Sequence, residues 1–181
     1  LNSEKTDGKV MFQAIPSNID LPKSIDEFEI IWKMMPISQG RTGTCWDYST
    51  SSFFESEIFR ITGNGIKLSE MFFVYYEYLS KAEEFIDSKG KSNFSEGSEA
   101  NAVTRQMKKW GAVPNKAYNG NARNTPFPDH EIMVQDMTTL LFSNKKRDRW
   151  DKELILDGIK TILNSYLGEP PSTFEYKGVR H

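Results

Sequence analysis

The sequence predicts an α+β fold that is mainly helical and ends with the start of a β element. Between residues 45 and 168, apolar side chains recur at the three- and four-residue spacing of a helix face. In the first helix these positions include Trp46, Phe53 and Ile61. After residue 168, the stretch STFEYKGVRH predicts a strand that has barely begun. Five helices are expected, starting near Cys45, Ser69, Ser98, Asp129 and Ile155.

The same changes in pattern predict the domain organisation. Residues 1–36 show no long helical period, and three prolines divide them into extended pieces, with VMFQAI as a short strand. We therefore expect an extended N-terminal segment over 1–36 and a helical domain over 37–168. The beginning of a β domain is expected over 169–181.

Composition excludes several classes of protein. With 181 residues, 13% of them aromatic, the chain has enough material for one domain with a sizeable core. A net charge of −2 provides no basic surface for nucleic acid or an anionic membrane. No apolar run approaches the roughly 20 residues of a membrane-spanning helix. One cysteine and two distant histidines cannot form a Cys/His zinc cluster, so no metal is predicted.

The only cysteine, Cys45, follows two glycines in the stretch QGRTGTCWDYS. A lone cysteine is most often a buried structural residue, because free cysteine is among the most buried residue types. Three features favour a nucleophile instead. A helix start offers free N–H groups that favour a thiolate, and Gly40 and Gly43 let the backbone approach a substrate. Gln39 lies six residues upstream, where its amide and the Cys45 N–H could donate to one oxyanion.

The stretch QGRTGTCW resembles the active-site segment of papain-like cysteine peptidases, in which a glutamine precedes the nucleophile by six residues. LPKSIDEF resembles the N-terminal part of the mature enzymes. Later stretches are similar, in order and wording, to the bleomycin hydrolase and aminopeptidase C branch, and the likeness covers roughly residues 20–181. These stretches are KLSEMFFVYYEYLSKAEEFI, SEGSEANAVTRQMKKWGAVPNKAYNG and YLGEPPSTFEYKG.

The resemblance implies a papain-like fold, here mainly its helical domain, and a thiol aminopeptidase. Cys45 would be the nucleophile, and its N–H and the Gln39 side chain would bind the oxyanion. Gly97 would pair with the substrate backbone, although a glycine there is also expected simply as a turn before the third helix. No metal or organic cofactor is implied. The implied partners are peptide substrates, the remainder of the same enzyme and other copies in a homo-oligomer, with no nucleic acid and no membrane span.

Two positions depart from the family pattern. Thr42 stands where many papain-like enzymes have a disulfide cysteine, and the partner cysteine expected in FSEGSEANA is missing as well. Asp47 stands where a small or apolar residue is usual, and a carboxylate facing the thiol would disfavour the thiolate. Two positions along a helix correspond to about 200°, so we expect Asp47 to face elsewhere.

A histidine base is the part of the mechanism that the sequence does not supply. His130 follows a proline-rich loop at a helix start and is expected to be solvated or to cap the helix. His181 lies 136 residues after Cys45, within the papain-like spacing, but no orienting asparagine follows it. The catalytic histidine and asparagine are therefore expected beyond residue 181. A non-catalytic papain-like module that binds peptides or a partner chain is the alternative, kept open by Asp47 and the missing base.

The compartment is undecided by the sequence. The chain starts at Leu1 with nine polar-rich residues and contains no signal peptide. By analogy with the branch the protein would be cytoplasmic. A signal peptide removed before Leu1 would instead indicate a periplasmic or secreted protein.

Overall fold

The computed structural model describes residues 2–6, 9–13 and 20–181. The chain divides into two units between Ile31 and Trp32. In the first unit, strands β1 (Asn2–Thr6) and β2 (Lys9–Gln13) pair as an antiparallel hairpin. The strand predicted in VMFQAI overlaps β2, and its last two residues lie outside the described part of the chain.

Within the described residues, the second unit forms five α-helices whose ends follow local sequence signals. They are α1 (Cys45–Thr62), α2 (Glu70–Asp87), α3 (Ala100–Trp110), α4 (Glu131–Lys146) and α5 (Lys152–Leu167). Ser69 and Asp151 cap α2 and α5 by accepting hydrogen bonds from the N–H groups of Phe72 and Leu154 at 3.2 and 3.1 Å. Gly63, with φ of 68°, ends α1 in the left-handed conformation. None of these helices is long and apolar enough to cross a bilayer.

The central helix of this unit is α2, which packs against each of the other four. Its buried residues occur around most of its circumference, as expected for a helix enclosed by its neighbours. Phe73, Val74, Tyr78 and Ala82 are fully enclosed. Burial of each large apolar side chain contributes about 1.5–3 kcal/mol, so α2 is the main source of packing energy.

Helix α1 has one face in the core and one face in solvent. Trp46 is 5% exposed and belongs to the core, whereas Phe53 and Ile61 are 60% and 72% exposed. All three recur at helical spacing in the sequence, but only Trp46 lies in the core. The spacing identifies the helix but cannot tell which of two apolar faces meets the core.

The C-terminal end forms a small hairpin of β3 (Glu175–Tyr176) and β4 (Val179–Arg180). Lys177 and Gly178 between them have φ values of 51° and 75°, as in the two-residue turns that suit the twist of hairpins. The single strand expected here is therefore two short ones. The described chain is mostly helical with a small sheet at this end, which is compatible with the predicted α+β class.

Candidate functional site

The loop that leads into α1 is closed by its own side chains. The Gln39 side-chain amide donates to the carbonyl of Thr42, and the Thr42 hydroxyl donates to the carbonyl of Gln39 at 2.9 Å. The hydroxyls of Thr42 and Thr44 lie 2.5 Å apart and are buried. Hydrogen bonds therefore close this loop at Thr42, the position at which the family resemblance implies a disulfide cysteine.

A second set of contacts joins this loop to the segment before α4. The Arg41 N–H donates to the Pro128 carbonyl at 2.8 Å, and the His130 N–H donates to the Arg41 carbonyl at 3.3 Å. Arg41 and Asp129 form a parallel bridge. Gly40 has φ of 65°, and a Cβ at this position would lie 2.2 Å from the Pro128 carbonyl oxygen. Only glycine allows the two backbones to approach this closely.

Cys45 is the first residue of α1, and it is exposed. The two residues that follow, Trp46 and Asp47, are buried and fix this end of the helix in the core. Thr44 at the N-cap makes no side-chain hydrogen bond to the helix, but its carbonyl accepts from the N–H groups of Asp47 and Tyr48 at 2.9 and 3.2 Å. The thiol is therefore exposed at the N-terminal end of a helix whose next residues are fixed in the core.

Gln39, six residues before Cys45, is half-buried. A carboxamide nitrogen carries two N–H groups, and one of them is used in the bond to Thr42. The other is the donor that the predicted oxyanion site requires. The bond to Thr42 restrains the side chain, which reduces the entropy lost when that second N–H donates to a ligand.

The turn that contains Gly97 lies beside the same loop. Lys81 of α2 orders the turn, because its Nζ donates to the carbonyl of Ser95 at 2.9 Å and to that of Gly97. A Cβ at Gly43 would lie 3.2 Å from Glu96 Cγ, so the turn directly contacts the loop before Cys45. Gly97 itself is exposed, and its carbonyl accepts from Lys81.

No protein-family model matches this chain. Function is therefore inferred from the motifs of the sequence and from the contacts between the Cys45 loop, the Gly97 turn and the segment before α4. Among residues 20–181, no group of three or more His, Cys, Asp or Glu side chains is arranged to hold a metal ion.

Asp47 is directed into the core, unlike the exposed Cys45. The Ser51 hydroxyl donates to its Oδ1 at 2.8 Å, while its Oδ2 is buried without a partner. Burial raises the pKa of Asp47 well above its ordinary value; Ser51 opposes this rise, the nearby Glu70 adds to it and Lys67 opposes it. The side chain therefore faces away from the solvent side of α1, as the helical spacing predicted.

Replacing Asp47 with asparagine should raise the free energy of unfolding at pH 8 by about 1–3 kcal/mol, because it removes a buried carboxylate with an unpartnered oxygen. A carboxyl whose pKa is raised by folding costs stability as pH rises from its ordinary pKa through the raised one. The advantage of Asp47→Asn should therefore shrink as pH falls toward 4. Urea unfolding from pH 4 to 8 measures this, with the exposed Asp157→Asn as control. If the stability gained by Asp47→Asn did not change with pH, the gain would not come from removing the buried charge.

Both histidines contact neighbouring side chains, but one is buried and the other is exposed. His130 is at the N-cap of α4, but its side chain is buried and does not cap the helix, so the solvated or capping interpretation is wrong. The cause is a buried polar site formed with Tyr78 and Glu96, whose oxygens lie 3.3 and 3.4 Å from His130 Nδ1. His181 is exposed, stacks on Phe174 with ring centroids 5.4 Å apart, and shares two backbone hydrogen bonds with it.

Sequence reasoning did not identify three residues that support the loop before Cys45 and the turn at Gly97. Glu96, Tyr78 and Lys81 are ordinary members of a turn and a helix in the sequence. The one available signal was Glu96, a carboxylate directly before the glycine of the predicted substrate turn. Tyr78 and Lys81 lie three residues apart on α2, so one face of that helix contacts both the turn and His130.

Proposed function

We propose that this protein is a cysteine peptidase that cleaves peptide bonds through the thiolate of Cys45, and specifically an aminopeptidase of the bleomycin hydrolase type. The observation that carries the proposal is the exposed thiol of Cys45 at the first residue of an 18-residue helix, directly after a loop in which the Gln39 side chain is held by the Thr42 carbonyl. The aminopeptidase specificity and a homo-oligomeric state depend on the sequence resemblance alone.

In the proposed reaction, the Cys45 thiolate attacks the scissile carbonyl carbon and the carbonyl oxygen becomes an oxyanion. The Cys45 N–H and the free N–H of Gln39 donate hydrogen bonds to that oxygen, which stabilises the transition state more than the bound substrate. A histidinium then donates its proton to the leaving amine, and the acyl group stays on sulfur. Water activated by the same histidine hydrolyses the thioester and restores the thiolate.

This scheme needs a histidine close to the Cys45 thiol. Within the described residues, His130 is buried against Tyr78 and Glu96, and His181 is engaged by Phe174. The exposed side of α1, which includes Phe53, is on the same helix as the proposed nucleophile.

A non-catalytic papain-like module is the second candidate, and the engagement of both histidines is the observation that favours it. Such a module would use the turn around Gly97 and the exposed helix end to bind a peptide or a partner chain. Its cysteine would react as an ordinary thiol and its binding would not depend on the sulfur atom.

Iodoacetamide inactivation tests the proposal in the full-length protein. At pH 6, a free thiol with a pKa of about 8.5 is almost wholly protonated and unreactive. We expect Cys45 in the folded protein to be alkylated at least about tenfold faster than the same residue in urea, because only the folded chain provides the helix N-terminus. The tryptic peptide from Thr42 to Arg60 reports alkylation of this cysteine.

Loss of aminopeptidase activity should follow the alkylated fraction of this peptide in direct proportion. A peptide substrate present during alkylation should protect both. Equal alkylation rates in the folded and unfolded protein, with no peptide hydrolysis, would refute the peptidase and favour the binding module.

A further inference from the structure

We propose that Glu96 is a positioning residue for the nucleophile: its side chain, which lies against His130 and fills the space beside Gly43, fixes the backbone there and so sets where Cys45 lies. The inference rests on the proposed function for its effect on catalysis. Its structural part, the fixing of the loop, can be measured without any activity.

Three elements that are distant in sequence meet at the Glu96 carboxylate. Its Oε1 lies 3.4 Å from Nδ1 of His130 at the start of α4, and the Tyr78 hydroxyl of α2 lies 3.3 Å from the same nitrogen. His130 and Tyr78 are 2% and 0% exposed. Oε1 is buried and makes no hydrogen bond within the described residues, and the His130 ring is the polar group that lies next to it.

The fourth element is the loop before α1. The Glu96 side chain fills the space beside Gly43, where an added Cβ would lie 3.2 Å from Glu96 Cγ and 3.3 Å from Cδ. Gly43 lies two residues before Cys45 and packs directly against the Glu96 side chain. A displacement of Glu96 therefore reaches the thiol through only two peptide units.

The charge of Glu96 is maintained by the same contacts. Burial alone would raise the pKa of Glu96, but His130, the Gly43 N–H and the Tyr78 hydroxyl together hold it below its ordinary value. Lys81, which orders the turn, is the other charged group that faces it. A carboxyl with a lowered pKa contributes its full stability above its ordinary pKa and loses it as pH falls through the lowered value. The loop should therefore stay fixed throughout the neutral range.

The kinetic test compares Glu96→Ala and Glu96→Gln with Glu99→Gln in the full-length enzyme. Glu99 is an exposed glutamate three residues away whose side chain makes no capping bond, so it is a matched control. We expect Glu96→Ala to lower kcat by roughly 10- to 100-fold with KM changed less than about threefold, since a misplaced nucleophile slows the chemical step. Glu96→Gln, which keeps the size and one acceptor oxygen, should lose less.

The structural test measures amide hydrogen exchange. In Glu96→Ala, exchange should become faster in peptides covering residues 39–44 and stay unchanged in α5, which shows that the fold is intact. Unchanged exchange in 39–44, or a kcat within twofold of wild type, overturns the positioning role. If the wild-type protein hydrolyses no peptide, the proposed function fails. Faster exchange in 39–44 of Glu96→Ala would then still show that Glu96 fixes the loop, so the two failures can be told apart.

Discussion

Replacing Gln39 with alanine is expected to lower kcat by about 10²–10³-fold, the usual effect of losing one oxyanion donor. One N–H of the Gln39 side-chain amide donates to the Thr42 carbonyl, and the remaining N–H is the donor proposed for the oxyanion. KM should change little, because this hydrogen bond strengthens only as charge develops on the oxygen. Steady-state hydrolysis of an aminoacyl amide by the full-length enzyme measures both constants.

Thr42→Val is the control that separates oxyanion binding from loop closure. It removes the hydroxyl that donates to the Gln39 carbonyl and pairs with Thr44, but it keeps the Gln39 amide. We expect Thr42→Val to lose much less kcat than Gln39→Ala. Equal losses in the two variants would mean that Gln39 acts by closing the loop, and a kcat within twofold of wild type in Gln39→Ala would remove it from the mechanism.

Gly40→Ala is expected to lower kcat by about 100-fold and to destabilise the protein by more than 1 kcal/mol, on the order expected for a side chain at a positive φ that also clashes. The added Cβ would lie 2.2 Å from the Pro128 carbonyl oxygen, and backbone cannot move aside as a flexible side chain can. The bond from the Arg41 N–H to that carbonyl would break, and the loop before Cys45 would shift. Thermal unfolding and kcat report the two effects.

The matched control for this variant is Gly63→Ala. Gly63 has nearly the same φ, 68°, but an added Cβ there meets nothing within 4 Å. It should therefore show only the cost of a positive φ, roughly 1 kcal/mol, with kcat unchanged. A similar kcat in Gly40→Ala and Gly63→Ala would contradict a role for the Pro128 contact in positioning the nucleophile.

The parts of this fold that the sequence predicts are those with local causes. Ser69 and Gly63 mark helix ends through groups a few residues away, so the start of α2 and the end of α1 follow from short stretches. The outward direction of Phe53 does not follow from a short stretch of sequence, because it depends on which other elements pack on α1. A second strand at the C-terminal end escaped prediction because its turn, Lys177–Gly178, lacks the usual Asn-Gly signal.

The candidate site likewise has some features with local causes and others that depend on contacts between distant segments. Cys45 and Gln39 are candidates because of their spacing within one loop, and helix geometry predicts that Asp47 faces away from Cys45. The contact of Glu96 with His130, and of Arg41 with Pro128, joins segments more than thirty residues apart. Such pairs leave no periodic trace in a single sequence, so the support of the loop could be found only from the structure.

The hydrogen bond from Arg41 to Pro128 also sets the order in which a newly made chain can assemble its site. The acceptor is more than eighty residues downstream of the donor. At the usual 5–20 residues per second, a ribosome needs roughly 4 to 17 seconds to add the residues between them. During that interval the thiol is already made, while the backbone that will orient it has not been synthesised. The bond that joins the loop before Cys45 to Pro128 can therefore form only after translation has passed the beginning of α4.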